Sequence, residues 1–506
     1  MINVKQETVN GAKWLILQKL TLQPLQFLYS MVLARLITPE EMGLLGLTAI
    51  FFAIANTLAS AGFGSALIRK IDRTNLDCDT AFWFNVSMSL LMSAILYLAA
   101  PYFVQFYNQP ELLWLTRCSA ILMFLSSTGG IHWTLYTARR DFKTPAIIQT
   151  IGTIISMPVC LIAAYQGWGV WALMAGSMTS AILSLIWVWI VSPWKPRAQF
   201  STTSFRLLFG FGSKLALGGL ITTIFSNLRP FIVGKFYSPH ALGMYAKGDH
   251  MGRLFPQMVT GIFGSVTYPI LATLQDDKQR LTSVYRKYIK TASLPIAFGC
   301  TLIAALAEPF VELCLGNQWL PCTIFVQIIS LAVMFDHVSS INLSLLSVLG
   351  RSDILLGLEI VKKSILLVMI LYAATISVTA MCAVSLFYAQ IAIFLNSYFT
   401  GKYLRLTWWM QLKDYWFYII MSAFAATPAF LLTLTHLPGP VTLIIGSISA
   451  TLLYLTLLVW KKDDTLVEFI SLLEQQAPFL RNILAYVKQR ITARATISTQ
   501  KKDNSS

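Results

Sequence analysis

Apolar residues in this chain gather into runs of twenty or more, broken by short polar connections. A bilayer core of roughly 30 Å asks for about 20 such residues per spanning helix, because hydrocarbon offers backbone N–H and C=O groups no partner. The pattern predicts about fourteen membrane-spanning helices, near residues 14–36, 43–68, 80–106, 112–136, 145–165, 168–192, 215–235, 251–274, 289–308, 322–349, 353–374, 379–400, 414–436 and 441–460. Alternating segments of about ten residues, the mark of a membrane barrel, are absent. The expected fold class is all-α and polytopic.

Charge tests that count independently, since cytoplasmic connections of a membrane protein collect Lys and Arg. Connections two-three, four-five, six-seven, eight-nine, ten-eleven and twelve-thirteen carry 3, 3, 4, 5, 1 and 3 Lys or Arg, with Lys290 counted in the fourth. The seven alternate connections hold only Lys247. A missed span would break this alternation from that point on. Both termini are therefore expected in the cytoplasm of a bacterial cell, bounded by its inner membrane. The N-terminal stretch MINVKQETVNGAKW lacks a short apolar segment and cleavage site, so the first helix is expected to stay in the mature protein. At the other end Leu480, Ile483, Leu484, Val487 and Ile491 recur at helical spacing between Arg481, Lys488, Arg490 and Arg494. That spacing suits an amphipathic helix on anionic membrane lipids, with a disordered basic tail as the alternative beyond Arg494.

Composition narrows the function classes. Of 506 residues, 56% are hydrophobic and 12% charged, and mean hydropathy is +0.65, unlike a soluble chain of several domains. The net charge of +16 does not point to nucleic acid, because the basic residues lie between apolar runs rather than on one globular face. Seven cysteines stand far apart with no CxxC and no Cys/His cluster, so neither zinc nor a redox cofactor is expected. Cys314 and Cys322 fall in one external connection, where a disulfide and two small buried thiols are the alternatives. No GxxxxGK[ST] loop for a nucleotide is present, and no connection is long enough to house a catalytic domain.

The two halves match at an offset of 200 residues. Arg35-Leu-Ile-Thr38-Pro39 with Gly43 parallels Lys235-Phe-Tyr-Ser238-Pro239 with Gly243, and Phe63-Gly64-Ser65 parallels Phe263-Gly264-Ser265. Gly11-Ala12-Lys13 matches Gly212-Ser213-Lys214 with one residue of slippage. An even number of spans separates the copies, so both point the same way: a parallel repeat about an axis along the membrane normal. The expected organisation is a lobe of helices one to six (1–200), a lobe of helices seven to twelve (201–403), two further helices (404–462) and the cytoplasmic tail (463–506).

The first helix of each lobe carries helix breakers beside polar residues: Pro24 with Gln18, Lys19, Gln23 and Gln26, then Gly218-Gly219 with Asn227, Arg229 and Pro230. Interrupted helices at corresponding places point to a central pathway, against the alternative that Gly and Pro merely kink or pack helices. Charges within or near the spans are Lys19, Arg117, Arg229, Arg253, Lys362 and Lys363, against Glu308, Asp336 and Glu359. Each costs roughly 2.5–3.5 kcal/mol at mid-bilayer on insertion scales, so such a residue faces water or a partner. Arg117 and Arg253 stand near helix ends and can snorkel, and Glu359 can pair with Lys362 or Lys363. The candidate cavity residues are Lys19, Gln23, Gln26, Asn227, Arg229, Arg253, Lys362 and Lys363. Their cationic excess suits an anionic passenger such as a phosphate-bearing lipid head.

Over nearly its whole length the chain resembles the bacterial polysaccharide-unit flippases of the multidrug/oligosaccharidyl-lipid/polysaccharide exporter superfamily. The resemblance rests on Gly11-Ala12-Lys13-Trp14, Leu33-Ala34-Arg35-Leu36 with Pro39 and Gly43, Gly62-Phe63-Gly64, and Phe211-Gly212-Ser213-Lys214. It continues through Gly234-Lys235-Phe236-Tyr237-Ser238, Leu242-Gly243-Met244-Tyr245, Tyr268-Pro269, Leu274-Gln275-Asp276-Asp277, Trp319-Leu320-Pro321 and Gly350-Arg351-Ser352-Asp353. The resemblance implies two six-helix lobes around a cationic cavity. It also implies passage of an undecaprenyl-pyrophosphate-linked oligosaccharide to the outer leaflet for lipopolysaccharide, capsule or exopolysaccharide assembly, alongside a polysaccharide polymerase and glycosyltransferases. The rival expectation is a cation-coupled drug or metabolite antiporter of the same superfamily, which would want an acidic residue inside spans one to six. None is found there.

Overall fold

A computed structural model describes residues 18, 21–435, 437–461 and 463–476. Lys19 and the basic stretch 480–494 lie outside the described residues. Among the described residues there are α-helices and one 3-10 segment, and no strand. Among the described residues, ten helical stretches are long and apolar enough to cross a membrane. The number rises to eleven if α5 (Leu112–Ser127) and α6 (Gly130–Ala138), bent by 40°, count as one span. Helix α1 is described over 21–36. Two more long helices coincide with expected spans but are more polar: α10 (Pro239–Thr273), with Lys247, Asp249 and Arg253, and α15 (Ser352–Ala374), with Asp353, Glu359, Lys362 and Lys363. A count of fourteen crossings therefore stays with the proposal below.

Helix starts follow local chemistry. The Thr38 hydroxyl accepts from the Glu41 N–H at 3.3 Å while the Glu41 carboxylate accepts from the Thr38 N–H at 2.8 Å. This reciprocal cap opens α2 (Pro39–Ser60). Thr74 and Asp77 repeat it at α4 (Asn75–Tyr107). Each satisfies two orphan donors, and a cap side chain typically contributes ~1 kcal/mol.

The chain packs as two compact units, 1–246 and 247–506, with the division inside α10. These are units of packing, a different division from the sequence repeats. In the first, α2 lies along α9 (Thr202–Phe236), α4 pairs with α5, and α7 (Lys143–Tyr165) pairs with α8 (Val170–Val191). Phe63 of α3 (Phe63–Arg69), Phe82, Ile131, Trp194 and Leu208 form one buried cluster. The repeat shows itself as a reciprocal contact. A Cβ on Gly43 would stand 1.8 Å from the Pro239 carbonyl oxygen, and one on Gly243 would stand 1.8 Å from that of Pro39. The matched prolines and glycines thus let α2 and α10 touch backbone to backbone, which only glycine permits.

In the second unit α11 (Lys278–Ala305) packs against α13 (Thr323–Val333), α14 (Asp336–Val348), α17 (Trp408–Thr433) and α19 (Asp464–Gln476). A polar cluster ties several of them together. The Gln411 carbonyl accepts from Tyr285 at 2.9 Å, Asn342 at 3.1 Å and Ser397 at 3.0 Å, and Thr400 donates to Asn342 at 2.6 Å. All five side chains are fully buried. Beside them Asp414 takes two bonds from Arg286, at 2.7 and 2.8 Å, and an ion pair from Lys290 at 3.4 Å. This is how α17 is fastened to α11. Helix α18 (Gly439–Trp460) packs on α17 and on α12 (Ala307–Leu315). Cys314 and Cys322 are buried and free, so the disulfide alternative is not realised.

One expectation is corrected. Helix α9 runs unbroken through Gly218, Gly219 and Pro230, and α1 is helical through Pro24. A proline removes one donor, and a membrane helix absorbs that loss through its neighbours. The breaks fall instead between α5 and α6, at Thr128–Gly129, and between α13 and α14, at Met334–Phe335. These are the fourth expected span of each lobe. Backbone bonds three residues apart, Gly129 N–H to Ser126 C=O and Phe335 N–H to Ala332 C=O, replace the regular ladder there.

Candidate functional site

The candidate residues divide between the two units. In the first, Gln23 and Gln26 are exposed on α1, and Gln18 reaches Gln149 of α7 at 3.4 Å. Asn227 is half-buried, and its amide donates to the Thr223 carbonyl one turn back at 2.8 Å. Arg229 is also half-buried; its Nε is buried without an acceptor, and it forms no ion pair among the described residues. No hydrogen bond joins Gln23 or Gln26 to Asn227 or Arg229. Only 11% of the most apolar window of α9 is buried. That helix therefore borders an open space or lipid rather than a core, and Arg229 sits within an apolar helix.

Helix α9 is held at the C-terminal end of α2. The Thr57 and Thr223 hydroxyls stand 3.2 Å apart, and a Cβ on Gly62, where φ is +71°, would stand 2.2 Å from the Gly212 carbonyl. Lys235 donates to the Phe106 carbonyl at 2.6 Å and lies 3.7 Å from its ring centre. An ammonium there meets the negative end of the α4 dipole. Arg117 stacks its guanidinium 5.0 Å from the Tyr97 ring centre and 5.1 Å from that of Trp114, so its charge is partly met by ring faces.

In the second unit Arg253 is paired. Its Nε stands 2.8 Å from Asp249 one turn back, and Nη1 stands 3.8 Å from Asp336, the first residue of α14. Lys362 is buried and pairs with Glu359 at 2.5 Å, as the spacing of three residues allowed. Lys363 is half-buried beside it. The Arg253 and Lys362 groups are thus two separate ion-pair clusters. Sequence reasoning missed Asp249 as a partner of Arg253, although their spacing of four on one helix was a usable signal. It also missed Lys247, which is buried with its ammonium 6.0 Å from the Trp319 ring centre. Burial pushes that ammonium down to about 8. Among the described residues no group of three His, Cys, Asp or Glu could hold a metal ion.

Apolar helices with cationic side chains set among them define a multi-pass membrane protein, and its fold is that of known transporters. The structure of the lipid II flippase MurJ in an inward closed conformation superposes with a TM-score of 0.69 at 12% identity, over 90% of this chain and 100% of that one. An inward-facing multidrug resistance MATE family transporter gives 0.58 at 12% identity, over 75% and 96%. Within that class the chain belongs to the polysaccharide biosynthesis protein family, whose pattern matches residues 32–324. It is 23% identical to the teichuronic acid biosynthesis protein TuaB of Bacillus subtilis, over 70% of this chain and 74% of TuaB. It is 25% identical to the succinoglycan biosynthesis transport protein ExoT of Rhizobium meliloti, over 63% of this chain and 64% of ExoT.

Proposed function

We propose that this protein is a flippase that carries an undecaprenyl-pyrophosphate-linked oligosaccharide unit from the inner to the outer leaflet of the cytoplasmic membrane. It would serve lipopolysaccharide, capsule or exopolysaccharide assembly, and it would leave the substrate chemically unchanged. The observation that carries the reading is family membership joined to Arg229, which forms no ion pair among the described residues and lies within an apolar helix. A sugar head crossing bare hydrocarbon would strand many hydroxyls at several kcal/mol each, so a polar route is required. A pyrophosphate on that route needs cations, and Lys19 and Arg229 are the proposed contacts, with Gln23, Gln26 and Asn227 offering hydrogen bonds. Arg253 and Lys362 join the proposal as cations whose own carboxylates the passenger would displace, with Lys363 as a further cation beside Lys362.

Alternate opening of two lobes, 1–200 and 201–403, would move the head while the prenyl tail stays in lipid. Fourteen crossings with both ends inside complete the proposal, as does the bacterial inner membrane as its location. The antiporter reading lacks support from the first unit. Its buried carboxylates Asp77 and Asp79 are engaged, the first by Lys70 at 2.8 Å and the second by the Arg197 N–H at 3.1 Å. Deleting the gene should abolish the surface glycan and leave its lipid-linked unit on the cytoplasmic side. Normal surface glycan in the deletion strain would refute the reading.

A further inference from the structure

A cavity of about 250 Å³ opens in the first unit where α3, α4 and α6 end or begin, lined by Ile71, Arg73, Thr74, Asn75, Cys78, Leu135, Arg139 and Trp194. Two guanidinium groups share it, and neither is paired with a carboxylate among the described residues. Arg73 is fixed in place: Nη1 donates to the Leu67 and Lys70 carbonyls at 3.3 and 3.1 Å, and Nη2 to Ala138 at 3.2 Å. Arg139 is exposed at the mouth. Asp77 and Asp141 bond groups other than these guanidiniums, and Asp77 Oδ1 has no partner among the described residues. Asp77 takes bonds from Lys70 and from Thr74, at 2.8 Å each from the ammonium and the backbone N–H, and Asp141 caps Thr144 at 3.1 Å. The buried indole of Trp194 forms one wall, and its Nε1–H donates to no described group. Two cations facing one polar cavity repel each other unless an anion lies between them.

We propose that this cavity holds the phosphate of an anionic membrane lipid from the cytoplasmic leaflet. The Lys/Arg pattern that places connections two-three and four-five in the cytoplasm puts the cavity at the level of lipid head groups, where basic pockets between helices take such groups. Ile71, at the rim and 92% exposed, offers an apolar side chain to the acyl region. The guanidinium pair supplies charge-assisted hydrogen bonds to phosphate oxygens. The lipid would bridge α3, α4 and α6 and steady the cytoplasmic end of the unit. This inference rests on the topology and is independent of the flippase reading, which the liposome assay below tests separately.

Purified full-length protein in detergent, titrated with phosphatidylglycerol, phosphatidylcholine and inorganic phosphate and read by native mass spectrometry, tests it. Phosphatidylglycerol should be retained over phosphatidylcholine. Arg139→Gln should weaken its retention about tenfold, the loss of a charge-assisted contact. Asn75→Glu, which places a carboxylate at the mouth, should act in the same direction. Arg280→Gln, on an exposed residue of α11, should leave retention unchanged. Equal retention of both lipids, or wild-type retention in both cavity variants, would overturn the proposal. Inorganic phosphate binding in place of the lipid would keep the phosphate chemistry and overturn the membrane source.

Discussion

Replacing Gly43 with Ala tests the reciprocal crossing of α2 and α10 by putting a methyl group where a hydrogen stands. The new Cβ would stand 1.8 Å from the Pro239 oxygen, 2.5 Å from its carbonyl carbon and 3.0 Å from its Cα. Ordinary contact begins near 3.4 Å, and these are backbone atoms, so no rotamer change relieves the clash. One helix must move by more than about 1 Å. Overpacking of this kind typically costs 1–3 kcal/mol and occasionally more. Gly243→Ala should cost about as much, since its Cβ meets the Pro39 oxygen at the same distance. The double variant should cost less than the two singles together, because the first shift makes room for the second methyl. Gly218→Ala is the control: nothing lies within 4 Å of its Cβ, and alanine is favoured over glycine in a helix by roughly 0.5–1 kcal/mol. The assay is the apparent Tm of each purified variant in the same detergent. Gly43→Ala and Gly243→Ala should fall clearly below wild type and Gly218→Ala should not. A Gly43→Ala protein as stable as wild type would refute the backbone contact.

Three further outcomes follow from the same structure. Asp414→Asn removes the charge from a carboxylate that is 3% exposed and holds Arg286 by two bonds; because Arg286 is 38% exposed, the expected cost is about 1–3 kcal/mol rather than that of a fully buried pair. A double-mutant cycle with Arg286→Gln measures it, and zero coupling would show that the pair does not fasten α17. Arg229→Ala and Lys19→Ala should each impair surface glycan export at near-normal protein abundance, with Arg229→Lys and Lys19→Arg milder; normal export in both Ala variants would make these cations structural. Single cysteines at Gln109 and Asn317, in a chain otherwise free of cysteine, should react with an impermeant thiol reagent in intact cells, and those at Asp141 and Gln279 should not. Labelling at Asp141 would overturn the topology.

Much of this architecture is legible in the sequence, because the bilayer imposes a length and a hydropathy that few chains meet by accident. The Thr38 and Thr74 caps are short-range chemistry, readable as a hydroxyl residue three positions before an acid. The pairing of Pro39 with Gly43 and of Pro239 with Gly243 is readable as a repeat, but not the fact that the copies touch. That requires knowing which helices cross. The break sites illustrate a sharper limit. Pro24, Gly218 and Pro230 are local breakers through which the helices nonetheless run on, whereas the break at Met334–Phe335 has neither Gly nor Pro to announce it. The buried cluster around Gln411 is likewise invisible, because its members Tyr285, Asn342, Ser397 and Thr400 come from three helices far apart in the chain. At the candidate site, Glu359 with Lys362 was readable from spacing on one helix. The second partner of Arg253, Asp336, comes from another helix and was not.

The central claim is that the protein moves a lipid-linked oligosaccharide across a bilayer, and reconstitution tests it most directly. Full-length protein in liposomes loaded with a labelled undecaprenyl-pyrophosphate oligosaccharide would be probed with a reagent that reaches only the outer leaflet. The account expects the labelled fraction to rise above that of protein-free liposomes, without added ATP and with the lipid recovered unchanged, and expects Arg229→Ala to slow the rise. Labelling that stays at the protein-free level in liposomes holding folded protein, together with normal surface glycan in the deletion strain, would contradict it.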